Sequence, residues 1–132
     1  MPPHNRHYPS RLWSIQLAEE LARRVQQFVV SWPTKLQDHP GDQLLRAADS
    51  VFSNLIEGYA RHYFKDRIRF YNYAASSVEE TLGWLHRCRE RGYIPANDVG
   101  VLCGMYIRLG RAISNLTATQ VSRTDWHQAI DE

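Results

Sequence analysis

Apolar residues recur every three or four positions along four separate segments of this chain. That spacing places them on one face of an α-helix. It predicts four helices, over about residues 12–32, 42–61, 64–91 and 98–119. Pro33 follows the first segment, and Gly92 and Pro95 follow the third, where these residue types commonly end helices. Because no segment shows the two-residue alternation of a strand, the sequence predicts an all-α fold, an antiparallel up-down-up-down four-helix bundle.

The same pattern divides the 132 residues into three parts. Residues 1–11 are expected to form a flexible N-terminal lead-in, residues 12–119 the four-helix bundle domain, and residues 120–132 a polar C-terminal tail. The chain is 43% hydrophobic and 23% charged, which is typical of a globular domain. One domain of this length can bury a core without disulfides or metals.

Composition also suggests a cellular compartment. No run of apolar residues is long enough to span a membrane, and the N-terminus lacks the apolar core of a signal peptide. Two cysteines, Cys88 and Cys103, do not make a disulfide scaffold. We therefore expect a cytoplasmic protein with reduced thiols and no membrane partner.

No pattern of catalytic or metal-binding residues is found. A di-iron bundle needs Glu-x-x-His pairs, and this sequence has none. Cys88 lies on the apolar side of the third predicted helix, which indicates a buried, inert thiol. Gly100 and Gly104 form a G-x-x-x-G spacing that predicts close helix packing. We therefore expect a non-enzymatic protein with no cofactor, metal or small-molecule substrate.

A polar stripe runs along the second predicted helix, separate from its apolar face. Its five members fall within a sector of about 80° at the helical rotation per residue. They are Arg46, Ser50, Asn54, Glu57 and Arg61. The stripe is either a solvated face with contacts between successive turns or a buried or half-buried seam against another subunit or a ligand, in which the polar groups must be paired.

The segment that carries this stripe resembles a family signature. Residues 43–61, QLLRAADSVFSNLIEGYAR, resemble the pattern Q-L-x-R-A-x-x-S-I-x-x-N-I-x-E-G-x-x-R. That pattern is found in the four-helix bundle proteins encoded in bacterial 23S ribosomal RNA intervening sequences. The resemblance covers about residues 12–119; it departs from the family at Tyr63, where serine is common, and at Arg67, usually an aromatic position. It implies a homopentamer of four-helix bundles, in a family without an established enzymatic activity.

Cations and aromatic residues alternate where the second predicted helix meets the third, a combination that suits phosphate contact and base stacking. The candidate nucleic-acid-binding residues are Arg61, Lys65, Arg67, Arg69 and Arg87 for phosphates, and Tyr63 and Tyr73 for stacking. The alternative is an ordinary helix surface of mixed charge, because Glu79, Glu80 and Glu90 share much of that face. The net charge of +2 does not decide between them.

Two functions remain open at this point. The first is a non-catalytic accessory protein that binds nucleic acid, either RNA or DNA, and is associated with RNA. The second is a homopentameric scaffold that docks a protein partner and has no nucleic-acid role. In the second, the polar stripe would hold the subunits together.

Overall fold

The computed structural model describes the backbone of residues 11–131 and the side chains of residues 11–122. All regular structure in this part of the chain is helical. The helices are α1 (Arg11–Val30), the single turn α2 (Thr34–Leu36), α3 (Asp42–Ala60), α4 (Phe64–Glu90) and α5 (Ala96–Asp131). The four long helices confirm the predicted all-α four-helix bundle, whereas the alternation of their directions stays a prediction. The predicted lead-in lies outside the described residues except for Arg11, which begins α1.

The last helix is longer than predicted. It passes the expected end at Thr119 and continues to Asp131, so the residues predicted as a tail extend α5. Gln120 is only 2% exposed, and its Oε1 atom accepts a hydrogen bond of 3.4 Å from Arg67 Nη1. The apolar periodicity fades after Leu116, but neither glycine nor proline follows to stop the helix.

The connection between α1 and α3 is partly ordered by side chains. After α2, residues Gln37–Gly41 kink at His39, whose backbone is extended. Gln37 Nε2 donates a hydrogen bond of 2.7 Å to the carbonyl of Trp32, just beyond the end of α1. Trp32 Nε1 donates in turn to the carbonyl of Tyr93, at 3.1 Å. These bonds satisfy polar groups that a helix end leaves unpaired, and they join two connections of the bundle.

Each long helix packs against two others, in the cyclic order α1, α3, α4, α5. The core between them holds one continuous set of buried side chains. Its largest members are Tyr71, Tyr106, Leu21, Leu44, Leu55, Leu85, Ile94, Leu109 and Ile113. Gly92 follows α4 with φ of 75°, the left-handed conformation that its position after the helix predicts.

Glycines mark close packing at a different place from the one predicted. A Cβ atom added at Gly100 or Gly104 meets nothing within 4 Å, so the G-x-x-x-G spacing does not pack against another described helix. Close approach occurs instead at Gly58, where a Cβ atom would lie 2.7 Å from Cε1 of Tyr71. The prediction for Gly100 and Gly104 was wrong because the spacing alone does not show which way the small face points.

Candidate nucleic-acid interface

The predicted basic and aromatic segment forms a tight corner between α3 and α4. Residues 61–63 make the whole connection, and both Arg61 and Tyr63 have extended backbones. Tyr63 precedes α4 without a side-chain cap, and its carbonyl accepts a hydrogen bond from the backbone N–H of Arg67 at 3.1 Å. Because the corner is short, the cations on either side of it are held at one end of the bundle.

Two of these cations pack against the ring of Phe70. The guanidinium carbon of Arg61 lies 4.7 Å from the centre of its ring, and that of Arg69 lies 5.1 Å from it. Each guanidinium also has a carboxylate partner. Arg61 Nη2 lies 3.0 Å from Glu57 Oε2, and Arg69 Nη2 lies 3.7 Å from Asp66 Oδ1. The charges of the two arginines on Phe70 are therefore balanced by the two carboxylates. This part of the corner is less basic than the spacing of its cations suggests.

Arg67 holds the corner together from inside. Its Nε atom donates a hydrogen bond of 2.7 Å to the carbonyl of Arg61, and its guanidinium carbon lies 5.7 Å from the ring centre of Phe64. The bond to Gln120 ties the same side chain to α5. The guanidinium thus contacts the Arg61 carbonyl, the Phe64 ring and the Gln120 side chain. Arg67 is therefore a positioning residue at the corner.

The stacking candidates are the most exposed part of the corner. Tyr63 is 75% exposed and Tyr73 is 50% exposed. The Tyr73 ring lies edge-on to Phe70, with 5.8 Å between the ring centres. Lys65 is exposed and has no ion pair within the part of the chain that the structure describes. Two accessible aromatic rings thus flank one unpaired cation and the two arginines on Phe70.

The structure does not bring Arg87 to this group. It lies on the same continuous helix, 18 residues beyond Arg69, which corresponds to about 27 Å along the axis. Phe70, by contrast, contacts both Arg61 and Arg69, although it is not among the site residues predicted from the sequence. Arg69, which directly precedes Phe70, and Arg61, which lies nine residues earlier across the corner, are the sequence features that could have revealed its role.

The polar stripe on α3 lies partly against α4 of the same chain. Ser50 Oγ and Ser77 Oγ are 2.7 Å apart, and Asn54 Nδ2 donates to Ser50 Oγ at 3.0 Å. Glu57 and Arg61 form the ion pair described above. Arg46 is exposed and has no partner within the described residues. Four stripe residues are therefore paired within the chain, and Arg46 pairs with none of the described residues.

Burial changes the acidity of several core groups. It raises the pKa of the Tyr106 phenol, with a smaller contribution from the negative charge of Asp49. Burial also raises the pKa of Tyr71, against the effect of the nearby Arg11 guanidinium. The pKa of both thiols, Cys88 and Cys103, is raised in the same way. Cys88 is fully buried, as predicted, and a raised pKa keeps the thiol protonated and weakly nucleophilic.

Comparison with known families decides where the chain belongs. The sequence model of the 23S rRNA-intervening sequence protein family matches residues 11–115. This chain belongs to that family. The match includes α1 to α4, most of α5 and the whole α3–α4 corner.

A solved structure shares the fold of this family member. It is a crystal structure of a protein of unknown function from the S23 ribosomal protein family of Bacteroides thetaiotaomicron. The TM-score is 0.71 at 18% sequence identity, over 82% of this chain and 97% of the other. No curated protein matches the chain. Among the described helices, none has the length and apolar character required to cross a membrane.

Proposed function

We propose that this protein is a non-catalytic, self-associating four-helix bundle that binds RNA as an accessory protein. The observation that carries the proposal is the α3–α4 corner. Exposed Tyr63 and Tyr73 lie there on either side of Lys65 and of the two arginines that pack against the Phe70 ring. The family description supports an association with ribosomal RNA, because it names intervening sequences of 23S rRNA. We place the protein in the cytoplasm, where such RNA is found.

Each residue of the corner has a distinct part in this proposal. Lys65 contacts phosphate directly, because no carboxylate among the described side chains pairs with it. Arg61 and Arg69 exchange their exposed carboxylate partners for phosphate, which costs little because exposed ion pairs contribute only about 0 to 1 kcal/mol. A phosphate then accepts paired, charge-assisted hydrogen bonds from the guanidinium. Arg67 positions the corner, and Arg87 meets a separate phosphate of a longer RNA.

The exposed rings favour unpaired nucleotides over a regular duplex. Bases that are splayed out of a helix can stack on Tyr63 or Tyr73, whereas bases inside a duplex present no free face. Stacking on an aromatic ring contributes about 1 to 3 kcal/mol per base. We therefore expect single-stranded or looped RNA to bind more tightly than duplex DNA of the same length.

The experiment compares RNA affinity between two charge-matched variants over a range of salt concentrations. The double variant Lys65→Glu, Arg69→Glu removes two corner cations. The control Lys35→Glu, Arg108→Glu makes the same change of charge at two other exposed positions. Log affinity falls with log salt, with a slope of about −0.7 per phosphate contact for single strands. Loss of two contacts should therefore make this slope less steep by roughly 1.4. Equal affinity in the two variants would remove the corner from the proposal.

The second candidate is a homopentameric scaffold for a protein partner, with no nucleic-acid role. It is favoured by exposed apolar side chains on α5, among them Val101 and Ile107, at 57% and 45% exposure. The polar stripe would then contribute to subunit contacts, chiefly through Arg46, which pairs with none of the described side chains. An assembled protein that binds neither RNA nor DNA at low salt would favour this scaffold over the accessory protein.

A further inference from the structure

Two guanidinium groups and a buried phenol come together at the end of the bundle where α3 ends. The guanidinium carbon of Arg11, the first residue of α1, lies 5.0 Å from the centre of the Tyr59 ring, in the last turn of α3. Tyr71 packs against the same turn, because a Cβ atom added at Gly58 would lie 2.7 Å from Cε1 of its ring. Arg67 lies one turn before Tyr71 on the same face of α4. We call Arg11, Tyr59, Arg67 and Tyr71 the bundle-end cluster.

The hydroxyl group of Tyr71 is a buried donor without an acceptor. Tyr71 is 1% exposed, and its hydroxyl oxygen has no hydrogen-bond partner. Burial raises the pKa of this phenol, and the nearby positive charges of Arg11 and Arg67 act against that rise. Because a guanidinium carries only donors, neither arginine can accept the hydroxyl proton. A buried hydroxyl that stays unpaired is costly, so this donor suits an acceptor from outside the chain.

The charge of the bundle-end cluster is also unbalanced. Arg11 and Arg67 are half-buried, and neither forms an ion pair with any of the described side chains. Arg67 uses Nε and Nη1 for the Arg61 carbonyl and Gln120, which leaves Nη2 without a partner among the described residues. Both α1 and α4 begin at this end, whereas α3 alone ends there, so the helix dipoles add positive potential. An anion that contacts both guanidinium groups would offset the cost of burying them.

A second buried phenol lies in the opposite electrostatic environment. Tyr106 is fully buried, and its hydroxyl oxygen also lacks a hydrogen-bond partner. Burial raises the pKa of this phenol, and the negative charge of Asp49 raises it further. An anion would therefore be repelled near Tyr106 and attracted near Tyr71. The comparison shows that the cations, and not burial alone, distinguish the bundle-end cluster.

We propose that the bundle-end cluster binds a phosphate group, held by the guanidinium groups of Arg11 and Arg67 and by the hydroxyl of Tyr71. Guanidinium groups donate paired, charge-assisted hydrogen bonds to phosphate oxygens, and the phenol adds a further donor. Arg11 admits the ligand by turning away from Tyr59, because a cation–π contact at a half-exposed ring is weak. The site shares Arg67 with the α3–α4 corner, but it does not require that the corner binds RNA.

Calorimetric titration of the full chain with inorganic phosphate tests the site, with potassium chloride holding the ionic strength constant. Tyr71→Phe removes only the hydroxyl, and Arg11→Gln removes one charge at the start of α1. Each change deletes hydrogen bonds to a charged ligand, so each should weaken phosphate binding about tenfold or more. Circular dichroism checks that both variants keep the helical content of the wild type.

Two control variants make the same chemical changes elsewhere. Tyr106→Phe removes the other unpartnered phenol hydroxyl, and Arg108→Gln removes an exposed charge outside the cluster. Both should bind phosphate as the wild type does. Equal phosphate affinity in the wild type, Tyr71→Phe and Arg11→Gln would overturn the site, and so would a wild type that binds no phosphate.

Competition with a short single-stranded RNA identifies the source of the phosphate. If a phosphate of RNA occupies the cluster, inorganic phosphate should lower the RNA affinity of the wild type but not that of Arg11→Gln. Phosphate binding without competition would assign the cluster to the free ion. RNA affinity that Lys65→Glu, Arg69→Glu leaves unchanged would overturn the corner but not this site, whose measurement is phosphate binding.

Discussion

Replacing Gly58 with alanine tests the closest packing contact between α3 and α4. The new Cβ atom would lie 2.7 Å from Cε1 and 2.9 Å from Cδ1 of Tyr71, well inside ordinary van der Waals contact. Tyr71 is only 1% exposed, so its ring cannot move without disturbing the core. Such overpacking costs about 1 to 3 kcal/mol. Alanine regains about 1 kcal/mol of helix propensity over glycine, which leaves a net loss of roughly 0 to 2 kcal/mol.

Gly83→Ala is the matched control, because a Cβ atom there meets nothing within 4 Å. It has the same gain in helix propensity without the steric cost, so we expect it to stabilise the protein by about 1 kcal/mol. The difference between the two variants then isolates the contact with Tyr71, at about 1 to 3 kcal/mol. Urea unfolding followed by circular dichroism measures both, at one protein concentration because assembly would shift apparent stability.

The same assay can refute the steric argument. Equal stabilisation by Gly58→Ala and Gly83→Ala would show that the Tyr71 ring yields freely. A Tyr71→Leu background gives a second check, since it removes the two ring carbons that the new Cβ atom would meet. In that background Gly58→Ala should be less costly than in the wild type, and an unchanged cost would place the strain elsewhere.

Three further predictions concern polar groups. Ser50→Ala and Ser77→Ala should each lower the free energy of unfolding by about 1 kcal/mol, and the double variant should cost less than their sum because the two hydroxyls bond each other. Above pH 10 the unfolded state loses the Tyr106 proton before the native state does, so stability should fall with pH by up to about 1.4 kcal/mol per unit; unfolding curves of Tyr106→Phe should show a shallower fall. Arg67→Lys should lower the melting temperature nearly as much as Arg67→Ala, because lysine cannot reproduce the Nε–H donor to Arg61 together with ring stacking.

The elements were predictable because their causes are local. Apolar residues every three or four positions specify a helix. Gly92 follows the end of α4 because glycine readily adopts the left-handed backbone conformation found there. The extension of α5 was not predictable in the same way. Its last turns lack a clear apolar stripe, and the burial of Gln120 depends on Arg67, which is 53 residues away in sequence.

The partners of each side chain required the structure, because spacing on one helix does not say what faces it. The stripe on α3 was recognised as one ordered polar face, yet its pairing of Ser50 with Ser77 depends on the register of α3 against α4. The separation of Arg87 from the corner, by contrast, follows from the sequence once α4 is one continuous helix, because each residue adds about 1.5 Å along the axis. Charge in the corner is also recognisable, since Glu57 pairs with Arg61 four residues later and Asp66 with Arg69 three residues later, and both spacings can be recognised in the sequence. A sequence pattern therefore predicts which residues share a face and pair along one helix, whereas a partner on another helix, such as Ser77 for Ser50, depends on how the helices pack.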